Sequence, residues 1–406
     1  MKKLLIIGSV WPEPTSTAAG KRMLQLISLF QKQNFEITFC STASKSEHSF
    51  DLNLLSVSSK NILLNDSGFD DFVKNLQPKI VIFDRFMAEE QFGWRVSENC
   101  PEAIKILDTE DLHFLRKQRE ISFKNKQENN PQNEISEVFI REVSSILRCD
   151  LSLIISDFEQ QLLIENYKIN SKILYYLPMF SEKFEGEISE FQERKNFLHI
   201  GNFLHEPNWQ TVLILKKLWK NIKQKLPESE LHIYGSYVTE KAKQLHNEKE
   251  GFIIKGRANS AEEIFLNYKV LIAPIPFGAG IKGKLLESME FGLPNVTTII
   301  GAEGMQINED WNGFITNSDE EFIEKAILLY TNSEVWGNSQ NFGFEILKQK
   351  FNRDLFENDF NEKVKYIYEN LNDHRNQNFL GQILQKNALQ STKFMSKWIE
   401  EKNKKK

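Results

Sequence analysis

The chain has 406 residues, enough for two or three domains at roughly 150 residues each. Apolar residues make up 40% and charged residues 26%, an ordinary globular balance that excludes a mainly disordered chain, a collagen-like chain and a disulfide scaffold. Lys and Arg number 51 against 56 Asp and Glu, a net charge of −5, which speaks against nucleic-acid binding.

The first residues, Met1 to Val10, are too short an apolar run for a signal peptide, end at Trp11-Pro12 and lack a cleavage site. They fit a first strand, Leu4–Val10, covered on both faces. A Pro/Thr/Ser/Gly loop from Trp11 to Gly20 follows, and then Met23, Leu24, Ile27 and Phe30 recur at helical spacing. Further strands are expected at Glu36–Cys40, Lys79–Phe83, Ala103–Leu107 and Leu151–Ile155. The stretch Lys117 to Asn133, rich in Asn, Gln, Lys and Glu, reads as a mobile loop or a frayed helix end. Residues 181–195 are charged, have no clean apolar face and read as a linker. Alternation then restarts, with strands at Asn196–Ile200, Glu230–Tyr234, Phe252–Ile254 and Val270–Pro274 and a helix from Gln210 to Lys225. From about Asp319 the chain reads as helical. Cys40, Cys100 and Cys149 are far apart, with no pair at metal-ligand spacing, so a reducing cytoplasm is the simplest home. No stretch approaches the ~18–20 apolar residues of a membrane helix.

Strand–helix alternation on both sides of a linker predicts an α/β protein of two doubly wound domains facing a cleft. The expected boundaries are 1–180, the linker 181–195, 196–350, and C-terminal helices with a basic tail at 351–406. Ligands are then expected at the C-terminal ends of the strands.

The sharpest local signal follows Val270–Pro274. Gly278, Gly280 and Gly283 lead into a short helix carrying Leu285, Leu286 and Met289, which Gly292 and Pro294 stop. Glycines admit a ligand close to the backbone, and a helix N-terminus favours an anion. Lys282 and Lys284 oppose the dipole in that first turn, which a bound phosphate would explain. Glu287 shares a face with Lys284, where its carboxylate would accept hydrogen bonds from two sugar hydroxyls. Phosphate and ribose together describe a nucleoside diphosphate. A P-loop would need Ser or Thr where Leu285 stands, and the first loop lacks the glycine pattern of a nicotinamide dehydrogenase.

With these residues the sequence resembles family four of the GT-B glycosyltransferases, the group 1 transferases, over roughly residues 1–350. The block from Val270 to Thr298 carries the resemblance. Ala302-Glu303-Gly304, Ile200-Gly201 with Pro207-Asn208, Ile233 to Ser236, Pro12 to Arg22 and Leu107 to Arg116 add to it. The resemblance implies two Rossmann-like domains, a nucleotide-diphosphate sugar as donor on the C-terminal one, an acceptor on the N-terminal one, retention of configuration and no bound metal or other cofactor. No Asp-x-Asp motif is present. By the same resemblance Glu287 holds the ribose. The family's first motif glutamate falls on Ala279, which puts its donor-sugar contact in doubt. His205 is the only basic residue in the loop after the first C-terminal strand, so Lys282 and Lys284, with Arg257, would carry the phosphate charge.

In the N-terminal half, Asp108, Asp111 and His113 follow a strand and would face the cleft. His113 would accept a proton or hold a sugar hydroxyl, and Asp111 would serve there or cap the next helix. Gly20 would admit the diphosphate, and Arg22 would pair with it or with the acceptor, or lie on the helix surface. Asp84 and Arg85 end another strand and would line the acceptor side or cap a helix. Trp11 would stack on a sugar. The acceptor implied is a growing surface glycan or a lipid-linked one. Lys386 to Lys406 holds seven Lys against two Glu, and Phe379, Leu380, Ile383, Leu384, Leu389, Phe394, Met395, Trp398 and Ile399 form a partial apolar stripe. This tail would either lie on an anionic membrane or pack on the domain. Rival readings are a nucleotide-sugar epimerase on the same fold and a degenerate, non-catalytic glycan- or partner-binding protein.

Overall fold

The computed structural model describes residues 2–126, 135–182, 184–258, 260–308, 310–387 and 389–404. The first sheet has seven parallel strands: β1 (Lys2–Gly8), β2 (Phe35–Ser41), β3 (Ser58–Asn61), β4 (Ile80–Asp84), β5 (Ile104–Asp108), β6 (Leu151–Ile154) and β7 (Leu174–Tyr176), in the order β3-β2-β1-β4-β5-β6-β7. The second has six: β8 (Lys195–Ile200), β9 (Leu231–Tyr234), β10 (Phe252–Gly256), β11 (Tyr268–Ala273), β12 (Asn295–Thr298) and β13 (Gly313–Thr316), in the order β10-β9-β8-β11-β12-β13. Leu4 of β1 lies opposite Ile37 on one side and Ile80 on the other. Such strands, covered by helices on both faces, read as unbroken apolar runs. Strand order reverses between β1 and β4, and again between β8 and β11, which places a crevice at the C-terminal end of each sheet.

The stretch from Lys117, expected as a mobile loop or a frayed helix end, is helix as far as Asn125, because His113–Asn125 is one continuous helix. Glu142 accepts the His113 and Phe114 N–H groups (3.1 and 2.9 Å) and so satisfies its first turn. The remainder of that stretch, residues 127–134, lies outside the described residues. The 181–195 segment ends on an anchor: Arg194 is fully buried and donates to the carbonyls of Ser189, Phe265, Tyr268 and Phe291.

The C-terminal helices return to the first domain. Phe360, Val364, Ile367 and Leu371 complete the core formed by Leu4, Ile6, Phe30 and Ile80, and Arg375 pairs with buried Asp150 at 2.8 Å. All three cysteines are buried and free. Among the described residues no helix is long and apolar enough to cross a membrane.

Candidate active site

The loops from the C-terminal ends of both sheets meet. From the second domain come Gly201–His205 after β8 and Pro274–Lys282 after β11. From the first come Ser9 after β1, Arg85 after β4 and Thr109–Leu112 after β5. Two helices begin here, Ala18–Lys32 and Gly283–Glu290. They abut so closely that a Cβ on Gly283 would stand 2.7 Å from Ala18 Cβ. The starts of the two helices are thus brought together, the first capped by the Thr17 hydroxyl on the Gly20 N–H at 3.0 Å, and helix N-termini are suited to an anion.

Lys284 and Glu287 stand on the first turns of the Gly283–Glu290 helix. Lys284 Nζ donates to Asn208 Oδ1 at 2.7 Å and lies over Gly201, where a Cβ would come within 2.9 Å of it. Burial pushes the Lys284 ammonium down to about 7, against the pull of Glu287. Glu287 forms an ion pair across the cleft with Lys21, from the first turn of the Ala18–Lys32 helix. Burial opposes the Lys21 charge, but Glu287 outweighs it and holds the ammonium above its ordinary value.

Lys282 does not reach into the cleft in this way. It is buried and donates to the Gly280 carbonyl at 2.8 Å, bracing its own loop. Gly280 adopts the left-handed region (φ 64°) and packs on the other domain, where a Cβ would meet Asp111 Cβ at 2.8 Å. Its N–H donates to Glu159 Oε1 at 2.6 Å. Burial pushes the Glu159 carboxyl up to about 7, and its Oε2 has no hydrogen-bond partner. Gly278 offers its carbonyl to Arg119 at 2.8 Å, and Arg119 also grips Glu303 with two bonds of 2.7 Å. Ala279 packs against the apolar core of the first domain.

Asp111 and His113 lie in the cleft. The Asp111 carboxylate stands 3.4 Å from His113 Nε2 and pairs with Arg116. Burial works to raise its pKa, but Arg116 overrides this and holds it below the ordinary range. His113 and, from the opposite domain, His205 are both pushed by burial to about 4, so both imidazoles are neutral at pH 7. Asp111 does not cap the next helix, because Glu142 takes that place.

Other sequence-derived candidates are engaged in contacts within the protein. Arg22 and Asp108 are both buried, and the guanidinium donates twice to Asp108 Oδ1 (2.9 and 2.7 Å) and to the Leu177 carbonyl (2.7 Å). The pair ties the first helix to the end of β5 and to Leu177, just after β7. Gly20 packs on the Glu13 backbone, where a Cβ would come within 2.4 Å, so its small size serves the loop. Trp11 is buried with its indole N–H on the Ala43 carbonyl (2.7 Å) and offers no face to a sugar. Asp84 accepts from the Ser9 N–H at 2.9 Å beside Arg85. Arg257 reaches across to Thr15 at 2.6 Å.

Sequence reasoning missed Lys21, Arg119, Glu142 and Glu159, and noted Glu303 only within the Ala302-Glu303-Gly304 block, without a role. Lys21 alone had a local signal, a lysine beside Gly20 at a helix start. The partners of the others lie far off in the chain.

Lys284 carries a prediction. Near pH 8 it is largely uncharged in the empty cleft, and a bound diphosphate restores its charge. Binding should therefore take up close to one proton at pH 8. Affinity should be flat below pH 7 and fall by up to about tenfold per unit above it. Titration calorimetry in two buffers of different ionisation heat measures this directly.

Residues 194–332 match the family described as Glycosyl transferases group 1. No curated protein matches the chain. Among solved structures, S. aureus TarM in complex with UDP and alpha-GlcNAc-glycerol superposes with a TM-score of 0.69 at 10% identity, covering 91% of this chain and 100% of that one. The pneumococcal O-GlcNAc transferase GtfA, in complex with UDP and GlcNAc, gives a TM-score of 0.69 at 14% identity over 90% of this chain and 99% of its own. HepE of Anabaena, in complex with UDP and glucose, gives 0.66 at 13% identity over 90% and 99%. At these identities the structures establish the fold. Residues 194–332 match the group 1 glycosyltransferase model, which marks the chain as a glycosyltransferase, and the chain has the GT-B fold.

Proposed function

We propose that the protein moves a sugar from a nucleoside-diphosphate sugar to a glycan or lipid-linked acceptor, with retention of configuration and without a bound metal, in surface-polysaccharide synthesis on the cytoplasmic side of the membrane. The observation that carries this reading is the pairing of Lys284 and Glu287 on one helix end that faces a second helix N-terminus across the cleft. The diphosphate would lie between the two N-termini beside Lys284, with the ribose on Glu287. Charge develops on the departing diphosphate, and fixed N–H groups with a lysine, screened from water, stabilise it. Charge-assisted hydrogen bonds of about 1.5–3 kcal/mol each would supply several orders of magnitude in rate. Neutral His113 would orient a hydroxyl, with Asp111 beside it. Metal independence is what the family resemblance implies. Retention rests on the family resemblance. The UDP named with TarM, GtfA and HepE makes uridine the first nucleoside to try.

Thermal unfolding against UDP, GDP and ADP and their sugars, in EDTA, tests the donor site. Ligand at a hundred times its Kd adds about 2.7 kcal/mol, enough for a shift of a few degrees. One diphosphate should stabilise the protein, and its sugar should be consumed only when an acceptor is supplied. Release of free sugar without acceptor would favour the epimerase reading. No shift with any nucleotide would overturn the transferase reading in favour of a binding protein.

A further inference from the structure

The last two helices pack the wrong way round for a soluble protein. The helix Gln390–Lys404 turns polar positions inward: Ser396 Oγ and the Glu400 carboxylate both take the buried Arg95 guanidinium, the first at 2.9 Å. The helix Phe379–Asn387 lies on the first domain through Gly381, where a Cβ would stand 2.1 Å from the Leu147 carbonyl. Neighbouring Asn378 and Gln385 donate to the Leu147 and Arg148 carbonyls at 2.8 and 2.7 Å. Large apolar side chains therefore point outward. Phe379, Leu380, Ile383, Phe394, Met395 and Trp398 are each between 51% and 63% exposed. A polar seam inside and an apolar face outside has no purpose in water, where the hydrophobic effect would reverse it.

The two helices also carry Lys386, Lys393, Lys397, Lys402 and Lys404, of which Lys393 pairs with Glu98 and Lys404 with Glu401. We infer that this face is a docking surface for an anionic phospholipid bilayer, with the aromatic and aliphatic side chains entering the headgroup boundary and the lysines held at its phosphates. The charge selects this occupant: a second copy would bring the same lysines against these, whereas an anionic surface complements them. Placement fits too. The face lies along the helices Arg85–Asn99 and Glu137–Arg148, and the first of these, about 22 Å long, begins at Arg85 in the cleft. This deepens the lipid-linked branch of the proposed acceptor, but binding to vesicles does not depend on sugar transfer.

The test is co-sedimentation of the full chain with vesicles of pure phosphatidylcholine and of an equal mixture with phosphatidylglycerol. Binding is expected to the mixture and not to phosphatidylcholine alone, and to weaken with salt. F394S/W398S should weaken it at least about tenfold, and K397Q/K402Q roughly 30-fold. Melting temperature and nucleoside-diphosphate binding should be unchanged in both, so a failure here is distinct from a failure of the donor site. Absence of wild-type binding, or equal binding by the variants, overturns the inference. A dimer in analytical ultracentrifugation that F394S/W398S dissolves would assign the face to a second copy and overturn it as well.

Discussion

Glu287→Ala is expected to abolish stabilisation by nucleoside diphosphates and to cost two to four orders of magnitude in kcat/KM. Two hydrogen bonds from ribose hydroxyls to a carboxylate are together worth about 3–6 kcal/mol, and each 1.36 kcal/mol is tenfold. The empty protein should barely notice, because the Lys21–Glu287 pair is partly solvated and such pairs contribute about 0–1 kcal/mol. Loss of function without loss of fold is the signature sought. Lys21→Ala should act in the opposite direction. In the empty cleft Lys21 occupies the carboxylate that the ribose needs, so its removal should tighten nucleotide binding by about two- to fivefold. In the double variant this gain should vanish, because there is no carboxylate left to release. Calorimetric Kd values for the four proteins close this cycle. Wild-type affinity in Glu287→Ala would remove the ribose site from this helix.

The second large effect concerns stability. Arg22→Ala should destabilise the protein by about 3–5 kcal/mol, since it strands the Asp108 carboxylate in the interior, and Asp108→Ala should do the same by stranding the guanidinium. Against a total stability of about 5–15 kcal/mol this brings the first domain near its limit. R22M/D108L, which removes both charges and keeps volume, should recover most of the loss. The double variant should also retain turnover, because the two groups are buried and spent on each other and on the Leu177 carbonyl. Urea denaturation with parallel activity measurement decides this. Full stability with lost turnover in Asp108→Ala would return that residue to the catalytic site.

Legibility in the sequence followed where each interaction is closed. β1, β4, β5 and β6 are mainly apolar because helices cover both faces, and the sequence shows them at once. β12, Asn-Val-Thr-Thr, hides because Thr297 satisfies its hydroxyl on the Ala273 carbonyl at 2.8 Å, so a buried strand looks polar. β3, Ser-Ser-Lys-Asn, is an exposed edge with no apolar signal at all. In the site, the Gly278–Glu287 block was legible because its glycines, lysines and carboxylate lie within ten residues on one strand–loop–helix unit. Arg22 and Asp108 were located at the correct strand and helix ends, but a sequence does not reveal that they neutralise each other. Glu159 and Arg119 meet Gly280, Gly278 and Glu303 more than a hundred positions away, and no local spacing announces such contacts.

The return of residues 353–371 to the first domain has a consequence for biosynthesis. The ribosome delivers β1 to β7 first, yet the core that Leu4, Ile6 and Phe30 share stays open on one side until Phe360, Val364 and Ile367 emerge. The second domain, whose strands all lie within residues 195–316, has its whole sheet available earlier. The half made first is therefore closed last, and throughout translation of the second domain its unfinished apolar face is the surface that a chaperone would find.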